Sequence, residues 1–153
     1  MARFLATLSA AREALPQTLV KANLQGADVQ VMISSYTVPA GGIGINDVIS
    51  WGFLPFGARL MPGSAIYCSA GAASSTLNLG DPASQTRYMA SSSVAAAGKL
   101  VAEAQFANGA LFEVTVTKPN DNTDTSELRS VVAGAPLQAG QVITLVAQYA
   151  GQN

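Results

Sequence analysis

From residue 38 to residue 81 the chain reads VPAGGIGINDVISWGFLPFGARLMPGSAIYCSAGAASSTLNLGD, short apolar runs broken every few residues by Gly, Pro, Asn or Asp. Brief apolar runs bounded by such turn residues are the pattern of β-strands, and they leave no room for the longer helical period. The stretch also carries the single Trp51, the single Cys68 and eight of the fourteen glycines.

The same grammar runs on to either side of this stretch. Beyond Asp28 the period is two: Val29, Val31 and Ile33 alternate with Gln30, Met32 and Ser34, up to Pro39. The AGGIG loop and Asn46-Asp47 turn the chain into a strand over residues 47–54, with Ile49, Trp51 and Phe53 on one face. Residues 59–61, 65–70 and 74–80 are further short strands. The Ala- and Ser-rich residues 91–97 favour neither helix nor strand, and a short turn is expected there. Asn108-Gly109 is a strong hairpin signal between residues 99–106 and 110–117, with Phe112, Val114 and Val116 facing one way. Residues 128–133 and 141–149 close the chain, the last with Ile143, Leu145, Ala147 and Tyr149 inward. About eight strands with turns at roughly 8–12-residue intervals predict an all-β fold, an antiparallel β-sandwich of jelly-roll type. The expected division is an arm over residues 1–27 and a β-sandwich domain over residues 28–153.

The arm has its own character. Phe4, Leu8, Ala11 and Leu15 fall at helical spacing and Pro16 ends the pattern, so it is either a short helix or extended. Its likeness to a secretory signal is faint, because the apolar core over residues 4–8 is shorter than the usual roughly 7–15 residues. No apolar run approaches the roughly 18 residues of a membrane-spanning helix. Arg3, Phe4, Leu5, Leu8 and Arg12 belong to no strand pattern and are the expected partner-docking residues.

Composition excludes several function classes. The formal net charge is −1, and the five arginines are scattered, so no basic field draws in a phosphate backbone and no nucleic-acid partner is expected. There is no histidine, which removes His-dependent nucleophilic catalysis and His-ligated zinc. One cysteine cannot build a thiolate cage, and at a strand position Cys68 reads as a buried, inert thiol. Glu103 and Glu113 could approach each other across the Asn108-Gly109 hairpin as a carboxylate pair. Both occupy the polar phase of their strands, so a solvated outer face is the expected setting. Asp121-Asn122-Thr123-Asp124 lacks the calcium-loop pattern and reads as a turn. Gly41-Gly42-Ile43-Gly44 lacks the third glycine of a phosphate-binding loop. Trp51, Phe53 and Phe56 could stack on a sugar, but at strand spacing they read as core. Neither catalysis nor a metal or cofactor is expected.

The segments VPAG at 38–41, DVI at 47–49, LPFGAR at 54–59 and LNLGD at 77–81 resemble those of tailed-bacteriophage capsid decoration proteins, also called cement or head-stabilisation proteins. So do RYMA at 87–90, the Ala-rich residues 93–98, AGA at 133–135, and AGQVITL at 139–145 followed by Tyr149. The likeness covers most of residues 38–149 and leaves the arm outside. It implies a β-sandwich or jelly-roll module without active-site residues, placed on the capsid exterior of a virion. Its implied partners are the major capsid protein and further copies of itself, as homodimer or homotrimer, and its implied role is to bridge neighbouring capsid subunits. A tail, fibre or baseplate component and a carbohydrate-binding β-sandwich using Trp51 and Phe56 with Glu103 or Glu113 are the alternatives.

Overall fold

A computed structural model describes residues 28–102, 112–119 and 121–151. Among these residues every regular element is a strand: β1 (Val29–Thr37), β2 (Val48–Phe53), β3 (Arg59–Leu60), β4 (Ala65–Cys68), β5 (Thr76–Leu79), β6 (Met89–Ser93), β7 (Gly98–Val101), β8 (Glu127–Ala133) and β9 (Val142–Ala150). All pair antiparallel, in two sheets. One runs β1-β9-β4-β7, with β3 alongside β4 on β9; the other runs β2-β8-β5-β6. The expected all-β sandwich is what the chain forms.

The alternating rows explain how the two layers hold together. Ile143, Leu145 and Ala147 of β9 and Ile66 of β4 point inward and are fully buried. They meet Ile49 and Trp51 of β2, Leu77 and Leu79 of β5, and Leu128 and Val132 of β8 in one cluster. Burying each such aliphatic side chain contributes about 1.5–3 kcal/mol. The Cys68 thiol lies at the edge of this cluster, buried and unpaired with any other cysteine.

Two irregularities shape the layers. Between β3 and β4 the chain bows out at Pro62-Gly63, after the Met61 N–H has donated to the Gln148 carbonyl (2.7 Å). The Gln148 N–H then donates to the Ser64 hydroxyl (3.0 Å), so a side chain replaces the backbone partner that β9 would otherwise lack. In β2 the register against β8 shifts between Ser50 and Gly52. Gly52 adopts φ 143°, a conformation that side chains disfavour.

That bulge corrects one expectation. Ile49 and Trp51 face inward, whereas Phe53 lands on the outer face with 54% of its surface exposed. One extra residue in a strand of period two sends every later side chain to the opposite face. Phe56, at 61%, is exposed too. The turn expected over residues 91–97 is also corrected: β6 runs through Ser93 and pairs with β5, and the chain bends only at 95–97. Buried Tyr88, Met89 and Val94 anchor this segment, so packing overrides weak local preference.

Residues 112–118 form no ladder strand. Val114 exchanges bonds with the backbone of Gly57 and Ala58 at 2.8 and 2.9 Å. The N–H groups of Thr115 and Val116 both donate to the Thr125 hydroxyl (3.2 and 3.1 Å), so one side chain takes the place of a strand. Asn108-Gly109 and Glu103 lie outside the described residues.

Candidate interaction surface

Among the described residues, the carboxylates of Glu113, Asp121 and Asp124 are engaged in local hydrogen bonds or ion pairs, as is that of Asp81. Glu113 does not sit on a solvated face. It accepts from the Arg59 guanidinium at 2.7 Å, with both side chains 11% exposed. Asp81 is fully buried and paired with Arg87, whose guanidinium also lies 3.6 Å over the Phe112 ring centroid. The Asp124 carboxylate accepts both the N–H and the hydroxyl of Ser126 (2.8 and 2.6 Å). Asp121 accepts the Thr123 N–H (3.0 Å), the turn expected for this loop, and that bond holds its carboxyl below the ordinary range. Among the described residues no three His, Cys, Asp or Glu side chains gather as a metal site.

Trp51 is withdrawn from any stacking role. It is 5% exposed, and its indole N–H donates to the Ser130 hydroxyl at 2.8 Å. In the glycine loop Gly42 has φ 72°, and a Cβ there would stand 3.0 Å from the Leu137 carbonyl. Close backbone approach, rather than phosphate cradling, is the use of that glycine. The expected docking residues Arg3, Phe4, Leu5, Leu8 and Arg12 lie outside the described residues.

What the described residues do present is an apolar outer face on the five-stranded sheet. In β1 it is Val29, Val31 and Ile33 that turn outward, exposed by 55%, 55% and 68%. The register places their row beside Val142 and Val146 of β9, then Tyr67 of β4 and Val101 of β7. Val142, Tyr67 and Val101 are exposed as well. Arg59 on this row is already paired with Glu113. Lys99 of β7 reaches over the Tyr67 ring at 5.9 Å. The face is therefore rich in β-branched side chains and nearly uncharged, broken by Gln148 and by the Ser35–Thr144 hydroxyl pair (2.8 Å), the character of a contact surface. Sequence reading found the alternation of Val29, Val31 and Ile33, but alternation alone does not tell the inside from the outside. The signal that could have found this face is the second apolar row, Val142 and Val146, alternating out of phase with the inward row of β9.

A second exposed group, Ile45, Val48, Phe53 and Phe56, lies on and beside β2. Edge strands β1 and β2 face each other across the sandwich, with the Met32 sulfur 3.0 Å from where a Cβ on Gly52 would sit. Apolar side chains are thus exposed on both strands at this side of the molecule.

The fold is similar to that of a chain from the cyanophage Pam1 capsid asymmetric unit. The TM-score is 0.62 and the sequences are 27% identical, over 81% of this chain and 86% of that one. No family model matches the chain, and no curated protein matches it.

Proposed function

We propose that this chain is a structural component of a phage capsid, without catalytic activity. In this reading it binds the outer surface of the head and stabilises it by bridging neighbouring subunits of the major capsid protein. The observation that carries the reading is the similarity to the Pam1 capsid chain in both sequence and fold over most of each chain. The apolar, nearly uncharged outer face supports it, because such a surface suits continuous contact with protein.

The connectivity adds a second support. Counting β3 and β4 as one strand interrupted at Pro62-Gly63, eight described strands make two four-stranded sheets. Every link between them crosses from one sheet to the other except β5 to β6, which we read as a jelly roll, an architecture used in viral capsid domains.

The mechanism proposed is multivalent clamping. One copy touching several subunits, or a homo-oligomer doing so, gains avidity through effective concentration even where each contact is weak. The arm extends that reach: its first 15 residues, fully extended, span on the order of 50 Å. Phe4, Leu5 and Leu8 anchor it in apolar pockets, and Arg3 and Arg12 meet acidic groups. Sedimentation of the protein with undecorated heads tests this reading. Co-sedimentation that falls at least tenfold when residues 2–15 are deleted supports arm anchoring, and undiminished occupancy by the truncated protein refutes it.

A further inference from the structure

The free edge of β1 is an unusual one. Its nine residues, VQVMISSYT, contain no charge and no proline, the devices that normally keep a sheet edge from pairing. The Val38 N–H donates to the Gln141 carbonyl (2.9 Å). Peptide groups alternate in direction along an antiparallel pair, so those of Val29, Val31, Ile33, Ser35 and Thr37 point away from β9. Among the described residues nothing pairs with them.

The chain leads into this edge through Ala27 and Asp28, and β1 begins at Val29. It reads QTLVKANL over residues 17–24, then Gln25-Gly26-Ala27-Asp28. The peptide groups of Val29 point toward this edge, so a hairpin here closes on a hydrogen-bonded pair at Val29, which a four-residue loop over residues 25–28 provides. That loop pairs Leu24 with Val29, Ala22 with Val31 and Val20 with Ile33, which puts three apolar side chains on the exposed apolar face. The opposite face then pairs Asn23 with Gln30 and Lys21 with Met32, a polar row where the second sheet no longer gives cover. A register one residue off sets Asn23 against Val29 and Lys21 against Val31.

We infer that residues 18–24 of this same chain add an edge strand to β1 as a hairpin with its loop over residues 25–28, extending the outer apolar face by Val20, Ala22 and Leu24. Residues 1–15, beyond Pro16, remain to reach a partner. The inference concerns the chain by itself and does not depend on what the particle is.

Cross-linking of the full chain tests it, in a Cys68→Ala background so that only introduced thiols react. In the inferred register Asn23 and Gln30 oppose each other at a pair without mutual hydrogen bonds, the closer of the two antiparallel spacings and the one suited to a disulfide. The Asn23→Cys/Gln30→Cys protein should oxidise to an intrachain disulfide, seen on non-reducing gels and by mass spectrometry. The Ala22→Cys/Gln30→Cys control, with its side chains on opposite faces, should not. No bond in the first protein, equal bonding in both, or a bond between chains overturns the inference; the last would assign the edge to a second copy. Amide exchange on the unaltered protein gives an independent reading. Amides within residues 19–24 and those of Val31 and Ile33 should exchange at least about tenfold more slowly than in an unstructured peptide. Exchange at the peptide rate overturns it.

Discussion

Trp51 donates its indole N–H to the Ser130 hydroxyl at 2.8 Å, inside the core and beside the bulge that reverses the facing of β2. The bond joins the inward face of β2 to that of β8 at the point where the register slips. Ser130→Ala leaves a buried N–H unsatisfied, which costs about 1–3 kcal/mol. Chemical denaturation should show a lower midpoint at unchanged slope. An unchanged midpoint would mean that the bond does not hold the bulge.

The bulge itself depends on Gly52. At φ 143°, with the Met32 sulfur 3.0 Å from the position of an added Cβ, any side chain is both strained and crowded. Gly52→Ala should destabilise by about 1–3 kcal/mol. Adding Met32→Ala removes the crowding and leaves the backbone strain, so the double variant should lose less than the sum of the two single ones. Strict additivity in thermal or denaturant unfolding would contradict this geometry.

These two residues also show where sequence reading stops. The inward rows Ile143, Leu145, Ala147 and Ile49, Trp51 follow from a period of two, and the sandwich follows from them. Phe53 continues the same period on paper, yet the peptide at Gly52 turns it outward, and only the pairing with β8 reveals the slip. Glu113 looked like a solvated residue because the local alternation is polar, but its partner Arg59 is 54 positions away. Residues 112–116 read as a strand, and the Thr125 hydroxyl, a side chain from a later loop, caps their backbone instead. The outward turn of Val29, Val31 and Ile33 was unreadable for a related reason: which face of a strand is covered is decided by the other sheet. The docking residues expected in the arm lie outside the described residues and are tested only by the experiments proposed for them.

Tyr88 gives the fold a weakness at alkaline pH. It is 2% exposed, and its hydroxyl has no hydrogen-bond partner among the described residues. Burial first, and the nearby Asp81 charge second, push its pKa well above the ordinary 10.0. The native state thus keeps a proton that the unfolded state releases above pH 10, and stability falls as pH rises from there toward the native pKa. Tyr88→Phe removes an unpaired buried hydroxyl, so it should be neutral or stabilising at pH 7 and should flatten the loss above pH 10. An unchanged alkaline slope in pH-dependent unfolding would contradict the burial of this hydroxyl.

The outer face should be separable from stability. Ile33 is 68% exposed, so Ile33→Lys should change folding free energy by no more than about 0.5 kcal/mol. Placed against a partner, the same charge must be desolvated without a counterion, and co-sedimentation with heads should fall at least tenfold. Full binding by a correctly folded Ile33→Lys protein would move the contact surface elsewhere, with the exposed Phe53 and Phe56 next in line.

The central claim is that this protein bridges subunits on the outside of a phage head. Imaging undecorated heads after incubation with the purified protein, with averaging over the capsid lattice, tests it most directly. The account predicts added density at regularly repeated exterior sites, each touching at least two capsid subunits, together with greater resistance of the heads to heat. Density confined to the tail or its vertex, density touching one subunit only, or bare heads at saturating protein would contradict it.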